Sequence, residues 1–198
     1  MAVALCVAAC VAKTTFAEDD FGIESASPVA IADPVNPQPG MVLSGYKVPM
    51  YPTKDWYKDS IATLPKSPAI KTVVDKSECF SLKALGSTGA NAGMWSGFMK
   101  CKRPAVYTLT ITEEKGGIIK QFFCYSLRVN GNPAIAVGGR QSSADVSLKA
   151  GWNKIELVFH QFDKNQLSMS YKPKESLSDA RPLTPSMLFH DQKPEEDW

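Results

Sequence analysis

The chain has 198 residues, enough for one domain with tails, and a domain of this size buries a self-sufficient core. With Lys+Arg at 22 and Asp+Glu at 20 the formal charge is only +2, and nothing suggests the clustered Lys and Arg of a nucleic-acid surface, so no nucleic-acid partner is expected. A hydrophobic fraction of 44% is ordinary for a globular chain.

Residues 2–12 read AVALCVAACVA, an unbroken small and apolar run. It is too short to span a bilayer, which needs about 20 apolar residues, so no transmembrane segment is expected. It fits the apolar core of a secretory signal, and Thr15-Phe16-Ala17 before Glu18 places cleavage after Ala17. A second reading stays open: Val7-Ala8-Ala9-Cys10 looks like a lipobox that would anchor the mature chain through an acylated Cys10. Residues 1–17 are thus read as a signal peptide. Residues 18–39 form a leader rich in Pro, Ala, Asp and Ser, because proline cannot join the middle of a ladder and such composition buries little.

From Gly40 the pattern becomes regular. Residues 41–46 have strand character, residues 51–67 read as a loop with a helical turn, and residues 70–74 are a β-branched run. In residues 105–112, Tyr107, Leu109 and Ile111 share one face against Thr108 and Thr110, the period of a half-buried strand. Residues 113–117 are expected to turn. Residues 118–129 follow, with Tyr125, Leu127 and Val129 on one face, and Asn130-Gly131-Asn132 is a tight-turn signal. Val146 and Leu148 alternate, as do Ile155, Leu157 and Phe159, then Leu167, Met169 and Tyr171. Strands at this spacing with no long helical period predict an all-β antiparallel β-sandwich over residues 40–191, followed by a polar tail at 192–198.

These residues resemble the anthrax protective-antigen-type, lectin-like domain family. The resemblance rests on the strand from Gly40 to Tyr46, on Trp95-Ser96-Gly97, on Val106-Tyr107-Thr108-Leu109 and on Leu127-Arg128-Val129-Asn130-Gly131. It continues through Leu148-Lys149-Ala150-Gly151-Trp152-Asn153 to Leu183-Thr184-Pro185-Ser186-Met187-Leu188, in the family's order. In sugar-binding members it implies a calcium ion held by adjacent aspartates just after the strand that carries Tyr107. Here Glu113, Glu114 and Lys115 stand at that place. The carboxylates are longer and would point to opposite faces of a continuing strand, and the lysine repels a divalent ion. No metal and no other cofactor is expected.

Candidate contacts for a glycan are the flat rings of Trp56, Tyr57 and Trp95, since aromatic faces stack on sugars. Trp95 also shares a strand face with Met99 and Cys101, which makes it a core candidate. His160 and His190 are read as surface or edge residues. Neither forms a zinc pattern, and no nucleophile elbow or phosphate loop occurs. Cleavage of the signal leaves three cysteines, Cys79, Cys101 and Cys124, hence at most one internal bridge. Cys79 and Cys124 alternate onto polar faces and are the preferred pair, with Cys101 a buried thiol. The sequence therefore predicts an exported, non-catalytic binding or adhesion module. Its expected partner is a glycan or a cell-surface protein, the alternative being a structural or assembly domain with protein contacts only.

Overall fold

The computed structural model describes residues 31–48, 64, 67–114, 125–138, 141–160 and 166–192. Among these lie the strands β1 (Pro37–Pro39), β2 (Met41–Tyr46), β3 (Lys71–Asp75), β4 (Ala92–Cys101), β5 (Ala105–Glu114) and β6 (Tyr125–Val129). They continue as β7 (Asn132–Gly138), β8 (Gln141–Leu148), β9 (Gly151–His160), β10 (Gln166–Pro173), β11 (Arg181–Pro182) and β12 (Phe189–Asp191). Short 3-10 turns occur at Leu82–Leu85 and Pro185–Met187. The all-β expectation holds.

The strands build two antiparallel sheets. The larger has eight strands in the order β1-β12-β4-β9-β6-β7, with β2 and β3 on the same side of β4 as β12; the smaller runs β11-β10-β5-β8. The long strand β4 serves two neighbours along that side. Its Ala92–Ser96 half pairs with β2, and Phe98 pairs with Phe189 of β12. Alternation explains the core. Ile155, Leu157 and Phe159 of β9 and Leu109 and Ile111 of β5 are fully buried, as is Leu167 of β10, with Met169 nearly so. Each such side chain contributes about 1.5–3 kcal/mol through the apolar surface it hides. Tyr125 Oη of the larger sheet donates to Ile111 O of the smaller at 3.2 Å, which satisfies a buried hydroxyl and ties the sheets together.

Two turn signals act as their chemistry requires. Asn130 (φ 51°) and Gly131 (φ 79°) both take the left-handed conformation of a two-residue hairpin between β6 and β7. Asn130 also reaches β9: its Oδ1 accepts from Lys154 N at 2.9 Å and its Nδ2 donates to Asn153 Oδ1 at 2.8 Å. Asn153 is itself fully buried and closes the 148–153 turn by pairing its amide with both N and O of Lys149.

Several boundaries differ from the sequence reading. The leader, expected to run through residue 39, already joins the sheet at β1. Gly40 N donates to Leu188 O at 2.7 Å and Asn36 O accepts from Gln192 N at 3.1 Å. Even-numbered residues therefore bond to β12, and the missing N–H groups of Pro37 and Pro39 fall on the open side of an edge strand, where they cost no ladder bond. Strand β5 runs on through Glu113 and Glu114, where a turn was expected, because β10 pairs with them (Leu167↔Glu113, Gln166↔Glu114). The β-branched run near residue 70 is strand β3, displaced by one residue. The expected signal peptide, Cys10 and the tail beyond residue 192 lie outside the described residues. Among the described residues no helix is long and apolar enough to cross a membrane.

Candidate functional site

The inner-facing residues of β4 run Gly93, Trp95, Gly97, Met99, Cys101, and the two halves of that row meet different surroundings. Trp95, weighed above as a sugar platform and as a core residue, belongs to the core: it is fully buried. Phe80 meets its ring edge-on at 5.7 Å and 78°, Phe159 packs at 6.4 Å, and its Nε1 donates to Asp75 Oδ2 at 2.7 Å. The other oxygen of the buried Asp75 accepts from the backbone N (2.9 Å) and hydroxyl (2.6 Å) of Ser77. A ring held on every side cannot stack on a ligand, so Trp95 is struck from the glycan candidates. Trp56 and Tyr57 lie outside the described residues.

At the Cys101 end no described segment closes over the sheets. Tyr107 of β5 and Tyr171 of β10 continue the inner faces that carry Leu109, Ile111 and Met169. They are only half-buried, their rings 6.2 Å apart and inclined at 45°. Between them and Met99 and Cys101 opens a cleft of about 650 Å³, within the size range of small-ligand sites. Its rim comes from two connections. The β4–β5 link supplies Lys102 and Arg103 beside Lys100, and the β10–β11 segment supplies Ser176, Ser178, Asp179 and Arg181. The hydroxyls of Ser176 and Ser178 lie 2.6 Å apart and stiffen that segment. Burial raises the Tyr107 phenol above its ordinary value, with smaller contributions from Cys101 and Tyr171, so the ring stays neutral and hydrogen-bonding. Burial also raises the Cys101 thiol, which argues against thiolate chemistry there.

Sequence reasoning did not assemble this cleft. The run Lys100-Cys101-Lys102-Arg103 was visible, but Arg181 and Tyr171 come from segments about 70–80 residues away. The available signal was that Tyr107 and Tyr171 each stand on an inward face at the last turn of alternation before a polar connection.

The other candidates resolve as follows. Glu113 and Glu114 sit on alternate faces of a strand that continues through both, and Glu114 Oε2 accepts from Gln166 Nε2 at 2.5 Å. Two carboxylates so divided do not fit one calcium ion. Among the described residues no group of three His, Cys, Asp or Glu side chains converges. Cys79 forms no disulfide among the described residues; its Sγ donates to Gln166 Oε1 at 3.4 Å, beside the Phe80↔Leu167 bridge between β10 and the 79–81 segment. Cys124 lies outside the described residues, and Cys101 is a buried free thiol as expected. Both histidines are buried, not at the surface. His190 Nδ1 lies 3.3 Å from Gly40 O, and desolvation lowers His160 to about 4.

No protein-family profile matches the chain, and no curated protein matches it in sequence. Solved structures do match in fold. The PA14 domain of the antifreeze protein MpAFP superposes with a TM-score of 0.54 at 14% identity, covering 83% of this chain and 98% of that one. An anti-sigma factor domain-containing protein reaches 0.53 at 15% identity, over 79% and 49%. The epithelial adhesin 9 A domain from Candida glabrata, solved in complex with Galb1-4GlcNAc, reaches 0.50 at 10% identity, over 76% and 88%. The fold is thus an antiparallel β-sandwich of the PA14 kind, and its structural neighbours include an adhesin domain.

Proposed function

We infer that the protein is an exported, non-catalytic binding or adhesion module that contacts glycans at a cell surface. The observation that carries this reading is the open end of the sandwich. It is concave and about 650 Å³, offers two tyrosine faces and a pair of serine hydroxyls, and pairs no nucleophile with a base. Rings with one apolar face and one polar tip suit sugars, which are apolar on one face and hydroxylated at the edge. Support also comes from an adhesin domain of the same fold that was solved with a disaccharide. Trp56 and Tyr57 are proposed as further aromatic contacts. The protein should bind immobilised glycans on an array, and chelation of calcium should leave the signal unchanged, because the carboxylates after Thr112 do not fit that ion. Trp56→Ala should weaken binding several-fold. Failure to bind any glycan would remove the reading.

A second reading, a structural or assembly domain, is favoured by one feature. Strand β3 pairs only with β2 among the described residues, and Val74 on it and Ile70 beside it are 44% and 48% exposed. An unpaired edge with apolar side chains is a template for another chain's strand. Sedimentation showing self-association that Val74→Lys abolishes, with no glycan bound, would favour it.

A further inference from the structure

We propose that the mouth between the Cys101 end of β4 and the Tyr171 end of β10 binds acidic saccharides, sugars whose rings carry carboxylate or sulfate. This rests on the glycan-binding reading and narrows it to a place and a charge. The mouth lies at the opposite end of the sandwich from Glu113 and Glu114: along β5, seven residues separate Tyr107 from Glu114, roughly 23 Å of strand.

The argument is one of charge balance. Lys102, Arg103 and Arg181 line the cleft against the single carboxylate of Asp179, a formal +2, with Lys100 beside them on the outer face of β4. That equals the +2 of the whole chain, so the rest of the molecule is balanced in formal charge and the net positive charge is concentrated here. These cations are not engaged elsewhere. The neighbouring ion pairs use Lys149 with Asp33, Lys154 with Glu156 and Lys174 with Asp145. The side chains of Lys102, Arg103 and Arg181 have no hydrogen-bond or ion-pair partner among the described residues. Lys100 lies 5.0 Å from the Trp152 ring centroid, a contact that leaves its charge unneutralised. Like charges gathered around a concave site repel one another and focus field lines into it, an arrangement that an anion relieves. Guanidinium forks match carboxylate and sulfate oxygens in pairs.

Charge alone would suit any small anion, but the floor of the site is not charged. It consists of Tyr107, Tyr171, Met99 and Cys101. A simple anion would use the rim and leave the rings bare, and a neutral sugar would use the rings and leave the cations unpaired. An acidic saccharide uses both. A nucleic-acid strand needs a basic track several nucleotides long with successive stacking platforms; here the cations ring one pocket at the end of a sandwich.

The test titrates the full chain with four probes: a neutral cello-oligosaccharide, an oligogalacturonate (carboxylate only), a sulfated chondroitin oligosaccharide, and oligodeoxythymidylate of similar charge. The expected result is that one or both acidic saccharides bind at least about tenfold tighter than the neutral sugar and the oligonucleotide. Their affinity should fall as salt rises from about 50 to 200 mM, as for any site that releases counterions. Arg103→Ser with Lys102→Ser should cost at least about tenfold, and Tyr171→Ser should do the same. Rim positions are exposed, so an unchanged melting temperature confirms folded variants. Neutral sugars bound as tightly as acidic ones would overturn the proposal while sparing the glycan reading. Binding to no saccharide would remove both. Equal binding of the oligonucleotide, or full affinity in the rim double variant, would also overturn it.

Discussion

The two ends of β4 share one strand, one inward row and one period, yet one is sealed and the other open. Around Trp95 the row is closed by the 79–85 segment: Phe80 bridges to Leu167 of the smaller sheet, and Leu82 and Leu85 pack into the gap. Around Cys101 no described segment crosses, and the same inward row ends in two half-exposed tyrosines beneath cations that have no ion-pair partner among the described residues. A sandwich therefore does not need a special strand to make a site. It needs one end where no connection lies across the gap between the sheets, and polar connections along the rim.

That contrast can be tested in stability. The largest effect is expected at the sealed end. Trp95→Ala should cost about 3–5 kcal/mol in urea denaturation, from the lost ring and from the buried Asp75 oxygen left without its donor. A loss below about 1 kcal/mol would mean that this end is not the anchor. Next comes acid. His160 is buried at the same end, opposite Ala92, and its imidazolium is disfavoured by desolvation, with the folded value near 4 against 6.5 in the free side chain. The unfolded chain thus binds the extra proton first. The contribution is fully present above pH 6.5 and is lost as pH falls towards 4, by roughly 3 kcal/mol in all. Unfolding free energy that stays flat over that window would sink the assignment.

Between the ends, Gly97→Ala should cost about 1–3 kcal/mol, because an added Cβ would meet Phe189 O at 2.8 Å and Met41 Cγ at 2.9 Å, and a backbone oxygen cannot swing aside. Thermal melts of Gly97→Ala matching the parent would show that β12 can shift. The smallest effect belongs to the mouth: Lys102→Ala and Arg103→Ala should each change stability by no more than about 0.5 kcal/mol. A larger loss there would mark the rim as structural and weaken its reading as a site.

Much of the fold was legible from the residues. Period-two alternation located β5, β8, β9 and β10 with their buried faces, since a half-buried strand must alternate. Asn130-Gly131 announced its hairpin because only residues tolerant of positive φ make one. Misreadings occurred where a partner overrode local composition. Glu113 and Glu114 look like a turn, yet β10 offers them a ladder. Pro37 and Pro39 look like a linker, yet β12 needs only the alternate amides. His160 and His190 read as surface or edge residues by type, yet both are buried.

By itself the sequence determined the class of fold, the inward faces and the tight turns, because those depend on side-chain period and backbone φ, which are local. It also narrowed Trp95 to two roles through the company it keeps on β4. Only the tertiary structure chose between them, by placing Phe80, Phe159 and Asp75 around the ring. Only the tertiary structure brought Arg181 beside Lys102 and Arg103 and left Tyr107 and Tyr171 half-buried in the cleft they line. A site is a meeting of segments distant in the chain, and which gap stays open depends on where the connections run, a property of the assembled sheets that no local pattern encodes.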